Sequence, residues 1–337
     1  MTEQYTAYRD LIAHSLDKTL GKTNLPLPER HEGKVRDRYG LDSERLLLVT
    51  TDRQSAFDRV LATVPFKGQV LNLTSAWWFG RTRHIIPNHM LGLPDANTLI
   101  ARRCTVFPIE FVVRGYITGT TGTSLWTHYQ QGEREYCGNM LPEGLRKNDR
   151  LDHPILTPTT KEEGHDQAIC PEAIIKEGRM ESGEWETASQ AALELFAFGQ
   201  QEAAKRGLIL VDTKYEFGVG SDGRIMLVDE LHTPDSSRYW LSESYAQLHD
   251  MGMEPENIDK EFLRLWFKQV CDPYHDKVLP QAPRELIIEL SLRYIQLYEM
   301  ITGKQFVFPS ENELGLPMEE RIASHVRAAL ASQEEML

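Results

Sequence analysis

The stretch VDTKYEFGVGSDGRIMLVDELHTPDSSRYW, residues 211–240, decides how this chain is read. Its first half alternates. A period of two puts Asp212, Lys214 and Glu216 on one face and Val211, Thr213, Tyr215 and Phe217 on the other, the pattern of a strand with one wet and one buried side. Asp222-Gly223 suits a two-residue hairpin turn. With that turn Ser221 faces Arg224, and the same register carries Glu216 opposite Asp229. Two carboxylates directly across a ladder repel each other. A divalent cation between them removes the repulsion, and hard oxygen ligands suit Mg²⁺. The alternative is a solvated sheet face in a different register.

The second half, HTPDSSR, crowds Asp235, Ser236, Ser237 and Arg238 into four consecutive positions. Arg238 can fork onto a phosphate or carboxylate, and the hydroxyls can take further ligand oxygens. A plain turn capping a helix is the competing reading. Upstream, EGKVRDRY (residues 32–39) reads as a strand with Lys34, Arg36 and Arg38 on one face. Three cations in a row can embrace a polyphosphate, and Gly33 lets the backbone approach it closely. The Walker pattern GxxxxGK(S/T) is absent, and a charged edge strand would look the same. TTDRQSAFD (50–58) sets Asp52, Arg53, Ser55 and Asp58 just past an apolar strand, where sites form but salt-bridged loops also occur. Glu110 and Arg114 share a strand face and can pair with each other. The loop RGYITGTTG (114–122) offers glycines and hydroxyls to an anion.

Around these segments the order is strands first, helices later. Strands are expected over 33–39, 45–50, 60–66 and 104–114, with Pro108 marking an edge or bulge. A helix is expected over 69–84, with Trp77 and Trp78 in its core pattern. Residues 132–171 read as a long irregular, lid-like stretch. A helix over 187–206 stops at Gly207, the ribbon spans 208–231, and helices follow from an Asp259 cap, over 283–303 and over 319–332. This segregation predicts an α+β protein.

Composition narrows the functional classes. The 337 residues are 41% hydrophobic and 26% charged, ordinary for a globular chain. A net charge of −13 disfavours a nucleic-acid polymer as partner. No 18-residue apolar run and no apolar leader core are seen, so neither a membrane span nor a secretion signal is expected. Cys104, Cys137, Cys170 and Cys271 are widely spaced, which points to reduced thiols and a cytoplasmic location. No nucleophile elbow and no HExxH pattern occurs, which argues against covalent nucleophilic catalysis. The sequence does not decide self-association.

Eight segments occur in order: EGKVRDRY, TTDRQSAFD, PFKGQVLNLTSAWWF, IPNHM, EFVVRGYITGT, PTTKEEGHD, LVDTKYEFG and DELHTPDSSRYW. Together they resemble the SAICAR synthetase family over residues 25–266, in its longer form. The resemblance implies a kinase-N-lobe-like antiparallel sheet domain (1–120), an ATP-grasp-like domain with the metal ribbon and lid (121–245) and a helical C-terminal region (246–337), with the nucleotide between the first two. It implies an ATP- and Mg²⁺-dependent ligase that joins carboxyaminoimidazole ribonucleotide to L-aspartate through an acyl phosphate. Phosphoryl transfer of this kind needs positioning and charge neutralisation more than a nucleophile.

Matched position by position, Gly33, Lys34, Arg36, Asp212 and Lys214 would serve ATP, and Glu216 and Asp229 the metal. Arg114, Thr120, Asp235, Ser237 and Arg238 would serve the ribonucleotide. Lys161, His165 and Asp166 would hold aspartate or close the site. Two positions depart from the family: Thr120 where serine is frequent, and Arg38 where an apolar residue is. The competing functions are a small-molecule kinase and a nucleotide-sensing module without turnover.

Overall fold

The computed structural model describes residues 3–57, 59–122, 124–161, 167–258 and 261–334. Helix α1 (Glu3–His14) precedes the short strands β1 (His31–Glu32), β2 (Arg36–Gly40), β3 (Arg45–Thr50), β4 (Arg53–Ala56) and β5 (Arg59–Thr63). Helix α2 (Lys67–Thr82) leads to β6 (Met90–Asp95), β7 (Thr98–Arg102), β8 (Cys104–Val106) and β9 (Ile109–Tyr116). Then come α3 (Leu125–Gln130), β10 (Glu135–Tyr136), β11 (Asn139–Met140), β12 (Arg150–Leu156), β13 (Thr159–Thr160), α4 (Pro171–Lys176) and α5 (Ser182–Ala204). The ribbon strands β14 (Leu208–Gly220) and β15 (Ile225–Val228) are followed by β16 (Ser237–Leu241) and five helices, α6 (Ser242–Asp250), α7 (Glu261–Val270), α8 (Arg284–Thr302), α9 (Glu311–Leu314) and α10 (Met318–Glu334). The ladders between named strands are antiparallel, so the architecture is mixed α and β.

Packing gathers the chain into two compact units, each discontinuous in sequence, where the sequence suggested three consecutive regions. The first comprises Met1–Trp77, His89–Arg103 and Asp259–Leu337; the second comprises Trp78–Asn88 and Cys104–Ile258.

In the first unit a five-stranded sheet runs β1-β2-β3-β7-β6. Strand β3 is the apolar run expected over 45–50, and its Leu47 and Val49 are fully buried. Helix α8 carries a broad buried stripe including Ile287, Leu290, Tyr294 and Ile301, and packs against α1, where the Tyr8 hydroxyl donates to Glu299 at 2.9 Å. Pro283 and a left-handed Gly303 bound it as expected. The strand expected over 33–39 is broken. Gly33 donates to the Arg36 carbonyl at 2.9 Å, so Lys34 sits in a tight turn and only Arg36 and Arg38 keep the shared strand face. Gly33 is required there, because a Cβ would meet the Arg36 carbonyl oxygen at 2.7 Å. Asp58 and Asp259 lie outside the described residues.

In the second unit β14 is the hub of a seven-stranded sheet and pairs with β9, β15, β16 and β8. Helix α5 covers one face through Ala188, Ala191, Ala192, Leu195, Phe196, Gly199 and Ala203, a stripe at helical spacing. It starts five residues before the expected 187, because Glu181 and Glu184 form a reciprocal capping box. Pro108 splits the strand expected over 104–114 into β8 and β9. The stretch 132–171 is not irregular throughout: it holds β10 to β13, with Pro154 at a register shift in β12 where its missing N–H is tolerated. The HTPDSSR turn leads into strand β16, not directly into a helix.

The ribbon register also differs. Its loop holds three residues, Ser221 to Gly223, with Gly223 left-handed at φ 75° and the Gly220 amide donating to the Arg224 carbonyl at 3.0 Å. Glu216 therefore pairs with Val228, not with Asp229. Asp229 leaves the ladder with a left-handed φ of 63°.

Candidate active site

The site is a charged face on β14 and its neighbours. The period-two reading holds: Thr213, Tyr215 and Phe217 are buried, while Asp212, Lys214 and Glu216 are half-buried on the other face. Asp212 registers with Arg114 on β9 and with Arg238 on β16, so three strands set one carboxylate between two guanidinium groups. Arg238 Nη1 donates to Asp212 Oδ2 at 2.8 Å, and Arg114 Nε donates to Thr157 Oγ1 at 2.8 Å. Burial pulls the Arg114 pKa down while Asp212 works against it; a guanidinium stays charged regardless.

Two residues along the same face, Lys214 Nζ donates to Glu110 Oε1 at 2.6 Å and Glu216 Oε1 at 3.1 Å. The other Glu216 oxygen pairs with Lys161. Burial opposes the charge on Lys214, but Glu216, Glu110 and Asp229 outweigh it and hold its pKa well above the ordinary lysine value. Burial likewise opposes the charge on Glu216, and Lys214 with Lys161 overcomes it, so the carboxyl falls well below its usual range. Asp229 thus acts on Lys214 although it is out of the ladder. The face assembles four cations (Arg114, Lys161, Lys214, Arg238) and three carboxylates (Glu110, Asp212, Glu216), with the charge of Asp229 also acting on Lys214. Such a balanced, partly desolvated array can exchange internal ion pairs for a ligand's phosphates and a cation.

Some expected residues are placed elsewhere. Ser237 Oγ shares a 2.7 Å hydrogen bond with Thr213 Oγ1, on the buried side of β14 opposite Lys214. Thr120 is exposed on the loop after β9, next to a left-handed Gly119. Asp235 lies in the turn before β16, its amide donating to Thr233 Oγ1 at 3.2 Å. His165 and Asp166 lie outside the described residues. Gly33, Lys34 and Arg36 belong to the first unit.

Glu110 was missed as a site residue. The sequence placed it on the face of Arg114 but suggested that the two pair; the structure gives each a different partner, Lys214 and Thr157.

Among the described residues no group of three or more His, Cys, Asp or Glu side chains is arranged to hold a metal. Glu216 and Asp229 carry hard carboxylate oxygens, the donor type that Mg²⁺ prefers, and are two groups where such a cluster needs three.

The SAICAR synthetase family model matches residues 29–281, three quarters of the chain and all of this charged face. The chain belongs to the SAICAR synthetase family. The phosphoribosylaminoimidazole-succinocarboxamide synthase of Legionella pneumophila (strain Paris) is 60% identical over 308 residues, covering 91% of this chain and 97% of that protein. The chloroplastic enzyme of that name from Arabidopsis thaliana is 56% identical over 331 residues, 96% of this chain and 79% of that one. The structure of SAICAR-synthase from Saccharomyces cerevisiae complexed with SAICAR superposes with a TM-score of 0.74 at 30% identity, over 86% of this chain and 100% of that chain. In this SAICAR synthetase the face of β14 concentrates both signs of charge within the matched residues.

Proposed function

We propose that this chain joins carboxyaminoimidazole ribonucleotide to L-aspartate, with ATP converted to ADP and phosphate. Membership of the SAICAR synthetase family makes it an ATP-dependent ligase of purine biosynthesis, and speaks against the small-molecule kinase alternative. The observation that carries the substrate-level reading is the row Arg114–Asp212–Arg238 beside Lys214 and Glu216.

The chemistry follows from what such a face can do. A carboxylate is a poor electrophile toward an amine. Its oxygen attacks the γ-phosphorus, ADP leaves, and an acyl phosphate forms; the aspartate amine then attacks the acyl carbon and phosphate departs with the C–O bond electrons. Arg114 and Arg238 orient the ribonucleotide by forked hydrogen bonds, with Asp212 fixing the Arg238 fork. Lys214 and Lys161 neutralise the transferring phosphoryl group. Glu216 and Asp229 would hold Mg²⁺, which when bound supplies further charge neutralisation at the phosphates. We assign Gly33, Lys34 and Arg36 to the ATP phosphates, Thr120, Asp235 and Ser237 to the ribonucleotide, and His165 and Asp166 to aspartate. The five-stranded sheet is read as kinase-N-lobe-like and the seven-stranded unit as ATP-grasp-like. Four free cysteines support a cytoplasmic location.

An ADP-release assay omitting each substrate in turn tests this. ADP that appears only with ribonucleotide and L-aspartate together is expected; full-rate release with a single small acceptor would overturn the reading.

A further inference from the structure

The TTDR segment, residues 50–53, grips the glycine turn of the first unit. Arg53 is 5% exposed and spends its guanidinium on four acceptors. Nη2 donates to the Gly33 carbonyl at 2.8 Å and to Asp37 Oδ1 at 2.6 Å, Nε to the Lys34 carbonyl at 3.2 Å, and Nη1 to the Gly21 carbonyl at 2.8 Å. The next carbonyl of the turn, that of Val35, accepts from the Thr51 amide at 3.0 Å and from Thr51 Oγ1 at 2.6 Å. Three consecutive carbonyls, at Gly33, Lys34 and Val35, are therefore held by two side chains of one segment. Asp37 is itself fully buried, and its other oxygen accepts from the Thr23 amide and hydroxyl at 3.0 and 2.6 Å.

This arrangement has an electrostatic consequence. A carbonyl oxygen facing an approaching phosphate repels it, whereas amides and a lysine ammonium attract it. Binding all three carbonyls inward fixes the peptide planes of the turn, while the Lys34 side chain stays exposed. A buried Arg–Asp pair is costly to desolvate and adds little net stability by itself, so its retention here points to a positional task.

We propose that Arg53, assisted by Thr51 and oriented by Asp37, is a positioning residue that holds the Gly33-Lys34-Val35 turn in the form that accepts the ATP phosphates. The proposal rests on the assignment of that turn to ATP given above. Neither Arg53 nor Thr51 is placed in contact with a substrate.

Steady-state kinetics on the full chain, with ATP and L-aspartate varied separately, tests it. Arg53→Lys keeps a cation for Asp37 but loses the fork, and Thr51→Val removes one hydroxyl at nearly constant volume. We expect Arg53→Lys to raise KM for ATP about tenfold, the loss of one charge-assisted hydrogen bond, with KM for L-aspartate unchanged. Thr51→Val shifts KM for ATP in the same direction, and decides alone if Arg53→Lys does not fold. A purely structural role would shrink the active fraction, lowering kcat and leaving both KM values in place. Lys34→Ala separates the two layers. If Lys34→Ala raises KM for ATP while the other variants leave it within a factor of two, the positioning role is overturned and the ATP assignment stands. If Lys34→Ala also leaves it unchanged, both fall.

Discussion

Glu216 faces Val228 across the β-ribbon, while Asp229 leaves that ladder in a left-handed conformation and its charge still helps to raise the Lys214 pKa. Glu216 accepts from the Lys214 ammonium at 3.1 Å, and Asp229 acts on the same ammonium through its charge. A non-glycine residue held at φ 63° is strained, and such strain gathers where a side chain must be aimed. Asp229→Asn keeps the shape and removes the charge. It is expected to raise the Mg²⁺ concentration for half-maximal turnover at least tenfold, with a small effect on urea stability. A titration of turnover against Mg²⁺ that superposes on the unmodified protein would remove Asp229 from the metal site.

Arg238 ties its fork to Asp212 and is 19% exposed, so its geometry is set by a neighbour and not by solvent. Lysine in its place supplies a point charge without the planar fork. Arg238→Lys should raise KM for the ribonucleotide by about tenfold and leave KM for ATP within a factor of about two. Equal losses for both ligands would contradict the assignment.

The alternation of residues 211–217 gave the charged face correctly, because period two is a local property of any strand buried on one side. What stayed hidden were features set by loops and by distant chain. A two-residue and a three-residue ribbon loop are both compatible with Ser221-Asp222-Gly223; the left-handed Gly223 and the Gly220–Arg224 hydrogen bond choose the longer one. The partner of Glu110 depends on which strand lies beside β9, and that strand is about a hundred residues away in sequence. Lys34 left its expected strand because Arg53, nineteen residues on, holds the turn carbonyls. The helix bounded by Pro283 and Gly303 was readable, since caps act within one turn of their own helix.

His232 is fully buried, with Nε2 2.6 Å from the Tyr215 hydroxyl, and burial pushes its pKa down to about 3. The folded value lies below the unfolded 6.5, so unfolding takes up a proton between those limits. The neutral ring's stability is fully present above pH 6.5 and is lost as pH falls toward 3. Between pH 7 and pH 5 this amounts to about 2 kcal/mol. Asp52 acts the other way: burial raises its pKa to about 6, so its contribution is present at low pH and is lost as pH rises through that value. The unmodified protein should therefore show a muted net slope. Urea unfolding at both pH values should show His232→Gln losing about 2 kcal/mol less on acidification than the unmodified protein. Identical losses would exclude His232 as the titrating group.

The same ring explains a glycine in the middle of a long helix. Gly199 lies on the buried stripe of α5, where a Cβ would stand 2.4 Å from His232 Cε1 and 2.8 Å from Leu210 Cδ2. Trp78 closes the ring from another side, edge-on at 4.7 Å between centroids, so the imidazole has little room to retreat. Propensity alone predicts that Gly199→Ala stabilises the helix by about 1 kcal/mol. Overpacking of a full core costs about 1–3 kcal/mol and should win here. We expect Gly199→Ala to lower the urea midpoint. The double variant Gly199→Ala/His232→Ala should recover part of the loss, since removing the ring removes the clash and the two changes are then not additive. A stabilised Gly199→Ala would mean that the helix and the His232 loop part more easily than their packing indicates.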